Sequence, residues 1–212
     1  ATNTCTLTTG RCVADTDCSG GATCNMETHR CAGGTNPQFT NADFSVWTDD
    51  LTPGTWTKGN FPSTFSKVTR SGTDYALNMT GTHTSNAYLV STGFTMMTSA
   101  MPTSITFEMN GSGKISINIA CDLNADGEST GEQKFYNLTA ETFAWAGLNA
   151  NGTPASNAYN TFNTNGEWKT FTITTGAELD AFWKEGTNCR LEIKGGKTDP
   201  FNASIDNVTI NY

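Results

Sequence analysis

Ile115-Ser116-Ile117-Asn118-Ile119-Ala120-Cys121 alternates apolar with small or polar side chains. That period of two decides the fold class, because successive residues of a strand point to opposite faces of a sheet. Residues 188–194 repeat the pattern, and Ser204-Ile205-Asp206-Asn207-Val208-Thr209-Ile210 comes near the end of the chain. Strands of this kind are half-buried and build two-layer antiparallel proteins. Other strand candidates recur at short spacing, over 55–58, 64–69, 75–79, 87–90, 103–109, 114–121, 133–138, 168–174 and 203–211. Their number and spacing predict an all-β sandwich of two antiparallel sheets. The one helical pattern runs over 177–185, where Leu179, Phe182 and Trp183 would dock as a short cap and Gly186 would end it.

Composition narrows the function classes. With 212 residues and 36% hydrophobic content the chain buries one main core. A charged fraction of 15% beside 21 glycines fits short strands joined by many turns. The net charge of -8, with no Lys/Arg cluster to reverse it locally, argues against nucleic acid and anionic membrane surfaces as partners. No apolar run of about 18 residues occurs, so no membrane span is expected.

Five of the seven cysteines fall within the first 31 residues, which implies an oxidising compartment and an extracellular or cell-surface location. A metal-binding reading would need CxxC spacing or nearby histidines, and the intervals here are five and six residues with only His29 close by. Thr4-Cys5 through Arg11-Cys12 matches Thr23-Cys24 through Arg30-Cys31, so residues 1–31 contain an internal repeat. Cys18 precedes the second copy, and its counterpart for the first copy would fall before Ala1. The chain is therefore expected to be part of a longer protein, leaving Cys5 without its native partner. Cys12, Cys18, Cys24 and Cys31 resemble the small four-cysteine modules strung together in bacterial secreted proteins. Of the three pairings they allow, Cys12–Cys24 with Cys18–Cys31 is the one preferred. Residues 32–38 read as a small, flexible linker, and the main domain occupies 39–212.

Three short motifs carry a resemblance. Asn41-Ala42-Asp43-Phe44 with Pro53-Gly54-Thr55-Trp56 opens the domain, Gly166-Glu167-Trp168-Lys169-Thr170-Phe171-Thr172-Ile173 stands near its end, and the 204–210 segment closes it. Together they resemble jelly-roll carbohydrate-binding modules over 39–212. The resemblance implies a jelly-roll β-sandwich, Trp56 and Trp168 as core anchors, and a structural calcium shared by Asp43 and Asp206. Ser45 stands where a Glu commonly follows the Phe.

A second calcium candidate comes from spacing alone. Asp122-Leu123-Asn124-Ala125-Asp126-Gly127-Glu128 sets oxygen ligands at alternate positions, with Gly at the sixth for the sharp turn. Gln133 occupies the twelfth position, where a bidentate Glu is required, so a helix-loop-helix hand is excluded. A calcium-braced loop held by Asp122, Asn124, Asp126 and Glu128 remains, beside the plain reading of an acidic solvated turn. Cys121 and Cys189 both fall on the apolar faces of their strands, so a disulfide between them, if the strands are adjacent or facing, is preferred to the alternative of two buried thiols.

For ligand binding, the Gly- and Asn-rich stretch from Phe143 to Phe162 reads as a long connection. Loops of that length are uncommon unless they do something. Trp145 and Tyr159 offer flat faces to sugar rings, and Asn149 and Asn157 offer amides to hydroxyls, with Trp47 and Trp183 as further candidates. Trp145 as a plug at the end of the sandwich is the structural alternative. Glu108 and Glu192 both fall on polar strand faces, the single arrangement that would suit glycoside hydrolysis. No nucleophilic triad can be assembled from His29 and His83. The expected function is non-catalytic binding of a neutral polysaccharide or glycan. An adhesion or structural module that binds protein is the rival reading, and a small polysaccharide-degrading enzyme is a weaker one.

Overall fold

The computed structural model describes residues 14, 23–26, 30–32, 39–58, 64–81, 86–90, 102–122, 133–147, 159–174, 187–196 and 200–212. Among the described residues no helix is long and apolar enough to cross a membrane. The predicted helix over 177–185 lies outside the described residues.

One strand organises the molecule. Numbered in chain order it is β9, Ser104–Asp122, 19 residues long. Its first half lies between β13 (Lys169–Thr174) and β15 (Phe201–Asn211). Its second half lies between β14 (Thr187–Gly196) and β10 (Gln133–Thr139), with β12 (Asn160–Asn163) joining at the middle. From β15 the ladder passes to β7 (Asp74–Gly81) and then β6 (Thr64–Ser71); from β14 it passes to β8 (Asn86–Val90) and then β5 (Thr57–Lys58). The two antiparallel layers of the jelly-roll sandwich thus share β9. They are tied again where β10 turns back on β11 (Thr142–Trp145), whose two-residue contact with β13 is parallel.

Burial explains why β9 can serve both layers. Its inward row, Ile105, Phe107, Met109, Ile115, Ile117 and Ile119, is fully buried in one core cluster with Leu77, Phe171, Leu191, Ile193 and Ile205. Each such side chain contributes about 1.5–3 kcal/mol by leaving water. The inward positions between the two runs are Gly111 and Gly113, at φ 148° and 143°. There the β15 backbone passes so close that a Cβ on Gly111 would lie 2.1 Å from the Asn202 carbonyl oxygen. The glycines therefore carry the strand through a bend that a side chain would block.

The alternation of β15 is reset by a bulge between Asp206 and Thr209, with Asn207 at φ 50°. That extra residue lets Ile205, Val208 and Ile210 all face inward. The Val208 N–H donates to the Ala42 carbonyl (2.9 Å), joining the opening segment to the closing strand. Trp56, buried as expected, donates from Nε1 to the Thr40 and Asn41 carbonyls and packs against Phe39 and Phe44. Nearby, β3 (Trp47–Asp49) pairs with β4 (Thr52–Pro53).

Cys121 and Cys189 form the expected disulfide, closing a sequence separation of 68 between β9 and β14. In the cysteine-rich segment β1 (Thr23–Asn25) pairs with β2 (Arg30–Ala32), setting Cys24 opposite Cys31. Cys24 is disulfide-bonded; Cys12 and Cys18 lie outside the described residues.

Candidate functional site

The second half of β9 departs from the half-buried pattern, because residues 115–122 are buried on both faces. Its outward row is Ser116, Asn118, Ala120 and Asp122, and β14 sets Arg190, Glu192 and Lys194 beside it. On the other flank β10 sets Gln133 opposite Ala120 and Phe135 opposite Asn118. Ser116 and Asn118 are wholly buried, Glu192 and Lys194 nearly so. This is a polar layer in a place that strands normally leave to solvent.

Its internal bonding is specific. Asn118 Nδ2 donates to Glu192 Oε2 (2.8 Å) and, at the long limit, to Gln133 Oε1 (3.4 Å). A carboxylate only accepts, so the amide orientation of Asn118 is fixed by that bond. Lys194 Nζ lies 3.2 Å from the same Glu192 oxygen and 5.9 Å from the centre of the Phe135 ring. Burial lowers the Lys194 pKa, an effect that Glu192 opposes. The Oδ1 of Asn118 remains, buried and without a hydrogen-bond partner.

Two more such atoms lie on neighbouring segments. Tyr136 is opposite Ile117 and Asn160 opposite Ile115, so Asn137 and Tyr159 are the residues just beyond these two ladders. Asn137 Oδ1 and the Tyr159 hydroxyl are both buried without partners, and burial pushes the Tyr159 pKa up to about 12. An unmade hydrogen bond of this kind costs about 1–3 kcal/mol.

Of the residues singled out from sequence, Tyr159 lies just before β12. Trp145 ends a strand, β11, opposite Tyr136, and packs against the core with its Nε1 buried and unpaired. The expectation of a strandless connection from Phe143 to Phe162 is corrected, since β11 and β12 occupy both ends of it. Trp47 donates from Nε1 to the Phe44 carbonyl and packs on the core. Asn149, Asn157 and Trp183 lie outside the described residues, as do Asn124, Asp126 and Glu128 of the acidic loop; Asp122, at the end of β9, is buried. Asn118, Asn137 and Lys194 were not singled out. Period-two patterning marks a polar face without telling whether that face is covered.

On the other half of β9 the outward residues form a charged cluster. Arg70 on β6 donates from Nη1 to Glu108 Oε2 and to Asp206 Oδ2 (2.9 Å), and its guanidinium lies 4.4 Å from the Trp168 ring centre. Trp168 is half-buried on this outer face and is not a core anchor. Asp206 is wholly buried and also accepts the Asn207 N–H (2.8 Å), while Asp43 accepts the Ser45 N–H (3.2 Å). A guanidinium therefore occupies the place beside Asp206 where the resemblance implies calcium. Glu108 and Glu192 stand opposite different partners, Asp206 and Asn118, ten residues apart along β9 at positions 108 and 118.

This cluster has a pH consequence. The Arg70 hydrogen bond holds the Glu108 pKa below its ordinary 4.5, whereas burial raises that of Asp206. A depressed carboxyl stabilises the fold above its unfolded pKa and loses that contribution as pH falls through the folded value; the raised Asp206 works in the opposite sense. Glu108→Gln should lower the melting temperature at about pH 7, and the deficit should shrink near pH 3. Equal deficits at both pH values would mean that Glu108 acts through packing alone.

No family model and no curated protein matches this chain. Among solved structures it is similar to a cyclase from Fischerella sp. TAU, with TM-score 0.50 and 13% identity, covering 84% of this chain and 97% of that one. It is also similar to the CBM22-1 xylan-binding domain from Paenibacillus barcinonensis, with TM-score 0.47 and 10% identity over 85% of this chain and 95% of that one. A third is the CBM22-1 and GH10 modules of a Clostridium thermocellum xylanase, with TM-score 0.48 and 12% identity over 84% of this chain; the chain spans 29% of that protein's length. The strand pairing makes the chain a β-sandwich. At these identities the likeness is one of fold, and a fold shared with a cyclase does not by itself fix the chemistry.

Proposed function

We propose that the chain is a secreted, non-catalytic module that binds a neutral polysaccharide or glycan on the outer face formed by β9, β10 and β14. One observation carries the reading: the outward row of β9 and β14 is a polar layer in which Asn118 bonds Glu192 and Gln133, with Phe135 opposite Asn118 on β10. Amide and charged side chains hydrogen-bond sugar hydroxyls, and an aromatic ring stacks on the C–H face of a pyranose. Acidic and basic side chains alternate on this face, Asp122 and Glu192 with Arg190, Lys194 and Lys114, so it carries little net charge. Glu108 and Glu192 are each held by a cation, which supports binding over catalysis. The Cys121–Cys189 disulfide supports an oxidising compartment. A stabilising calcium held through Asp122 is part of the proposal; chelation would lower the melting temperature if it is present.

Titration with soluble neutral polysaccharides should give a dissociation constant of roughly 10 µM to 1 mM, nearly independent of salt. Asn118→Ala should weaken binding by about 1–3 kcal/mol. Capture of a protein partner with no glycan signal would instead favour the adhesion reading, and reducing-sugar release would favour an enzyme.

A further inference from the structure

We propose that Asn118 and Lys194 become covalently joined in the folded chain, through an intramolecular amide between β9 and β14 formed with loss of ammonia. The inference is independent of the glycan reading, because no ligand has to reach these atoms. The β9–β14 register sets Glu192 opposite Asn118 and Lys194 opposite Ser116, so Asn118 and Lys194 are diagonal neighbours on one face of an antiparallel pair. A long side chain spans that diagonal. Both nitrogens meet the same atom: Glu192 Oε2 lies 2.8 Å from Asn118 Nδ2 and 3.2 Å from Lys194 Nζ. Asn118, Glu192 and Lys194 are 0%, 7% and 4% exposed, and the Phe135 ring centre lies 5.9 Å from Nζ.

These surroundings make a lysine nucleophilic. Away from water the ammonium is disfavoured, and burial lowers the Lys194 pKa even though Glu192 opposes it. Proton transfer from Nζ to Glu192 leaves a neutral amine beside an amide that bulk water does not reach. The Nζ lone pair attacks Asn118 Cγ to form the new C–N bond, and the Cγ–Nδ2 bond breaks with its electron pair going to the departing nitrogen. Of the three protons on the starting ammonium, one stays on the new amide nitrogen, one completes the ammonia, and one remains on Glu192. A single carboxylate that touches both the attacking and the leaving nitrogen can carry these protons. Each chain reacts once, so this is self-modification and not turnover.

The test measures the intact mass of the whole chain, reduced and denatured after folding. It should fall short of the sequence mass by one ammonia, and a protease digest should contain a branched peptide joining the segments around Asn118 and Lys194. The mapping is needed because the Asn-Gly pairs at 110–111, 151–152 and 165–166 also lose ammonia when they cyclise. Lys194→Met and Asn118→Leu, each shown to be folded by its melting curve, should lack the branched peptide. Glu192→Gln, likewise folded, should keep both reactants unjoined. The measurement on the parent chain decides by itself where a variant does not fold. The full sequence mass in the folded parent, or an ammonia loss that maps only to an Asn-Gly pair, overturns the inference. A branched peptide that still forms in Glu192→Gln overturns the assignment of Glu192 as the proton carrier.

Discussion

Gly111→Ala should prevent folding, or destabilise the protein by more than about 4 kcal/mol, although it adds a single methyl group. Gly111 sits at φ 148°, and its Cβ would lie 2.1 Å from the Asn202 carbonyl oxygen and 2.6 Å from the Ala203 Cα. Both atoms are backbone of β15, which pairs with β9 at this point and cannot move without opening the ladder. The neighbouring bend position, Gly113, meets Pro200 and Phe201 in the same way at 2.8 and 2.9 Å. Gly72 provides the control. It has φ 56° but nothing within 4 Å of its Cβ, so Gly72→Ala carries only the conformational cost of about 1 kcal/mol. Urea unfolding of the two variants separates the terms. If Gly111→Ala unfolds at a midpoint close to that of Gly72→Ala, the close approach of β15 is not what the glycine serves.

That same stretch shows where local pattern reading stops. Asn110-Gly111-Ser112-Gly113 has the composition of a turn, so 103–109 and 114–121 read as two strands, whereas β9 runs straight through. A glycine pair signals either a reversal or a close backbone contact, and only β15, some ninety positions away, decides between them. The inner rows at Ile105–Met109 and Ile115–Cys121 were legible because packing against one core imposes strict alternation. Trp56 was legible as a core residue, but Trp168, expected as a second core anchor, lies on the outer face, since the Arg70 that covers it is supplied from a strand remote in sequence. The short strands β11 and β12 hold through their partners' ladders more than through their own residues, and Asn-rich composition hid them. For the site, Tyr159 stood out as an aromatic. Asn118 and Lys194 read as the solvent side of amphipathic strands, because alternation distinguishes two faces without revealing that both are buried.

Removing the β9–β14 crosslink should have an effect of similar size. The Cys121–Cys189 bond closes a sequence separation of 68, for which the loss of loop-closure entropy in the unfolded chain corresponds to about 4 kcal/mol. For a chain of this length that is a fall of roughly 10–15 °C in melting temperature. Both cysteines are wholly buried, so a Cys121→Ala, Cys189→Ala double variant also loses sulfur packing, and its deficit should be at least that large. Reductant alone is not an adequate test, because it also cleaves the bond made by Cys24. The double variant isolates the sandwich. The bond lies at the end of β9 next to Asp122, where the β14 register shifts between Thr187 and Arg190. Beyond the shift, Arg190 to Gly195 pair continuously with β9, and that stretch carries Glu192 and Lys194. Glycan binding measured well below the melting temperature should therefore survive the loss of the bond, while stability falls. A double variant that melts within about 3 °C of the parent would show that the native ladder, and not the crosslink, determines stability there. Loss of binding in a variant that remains folded would mean that the disulfide holds the site's register.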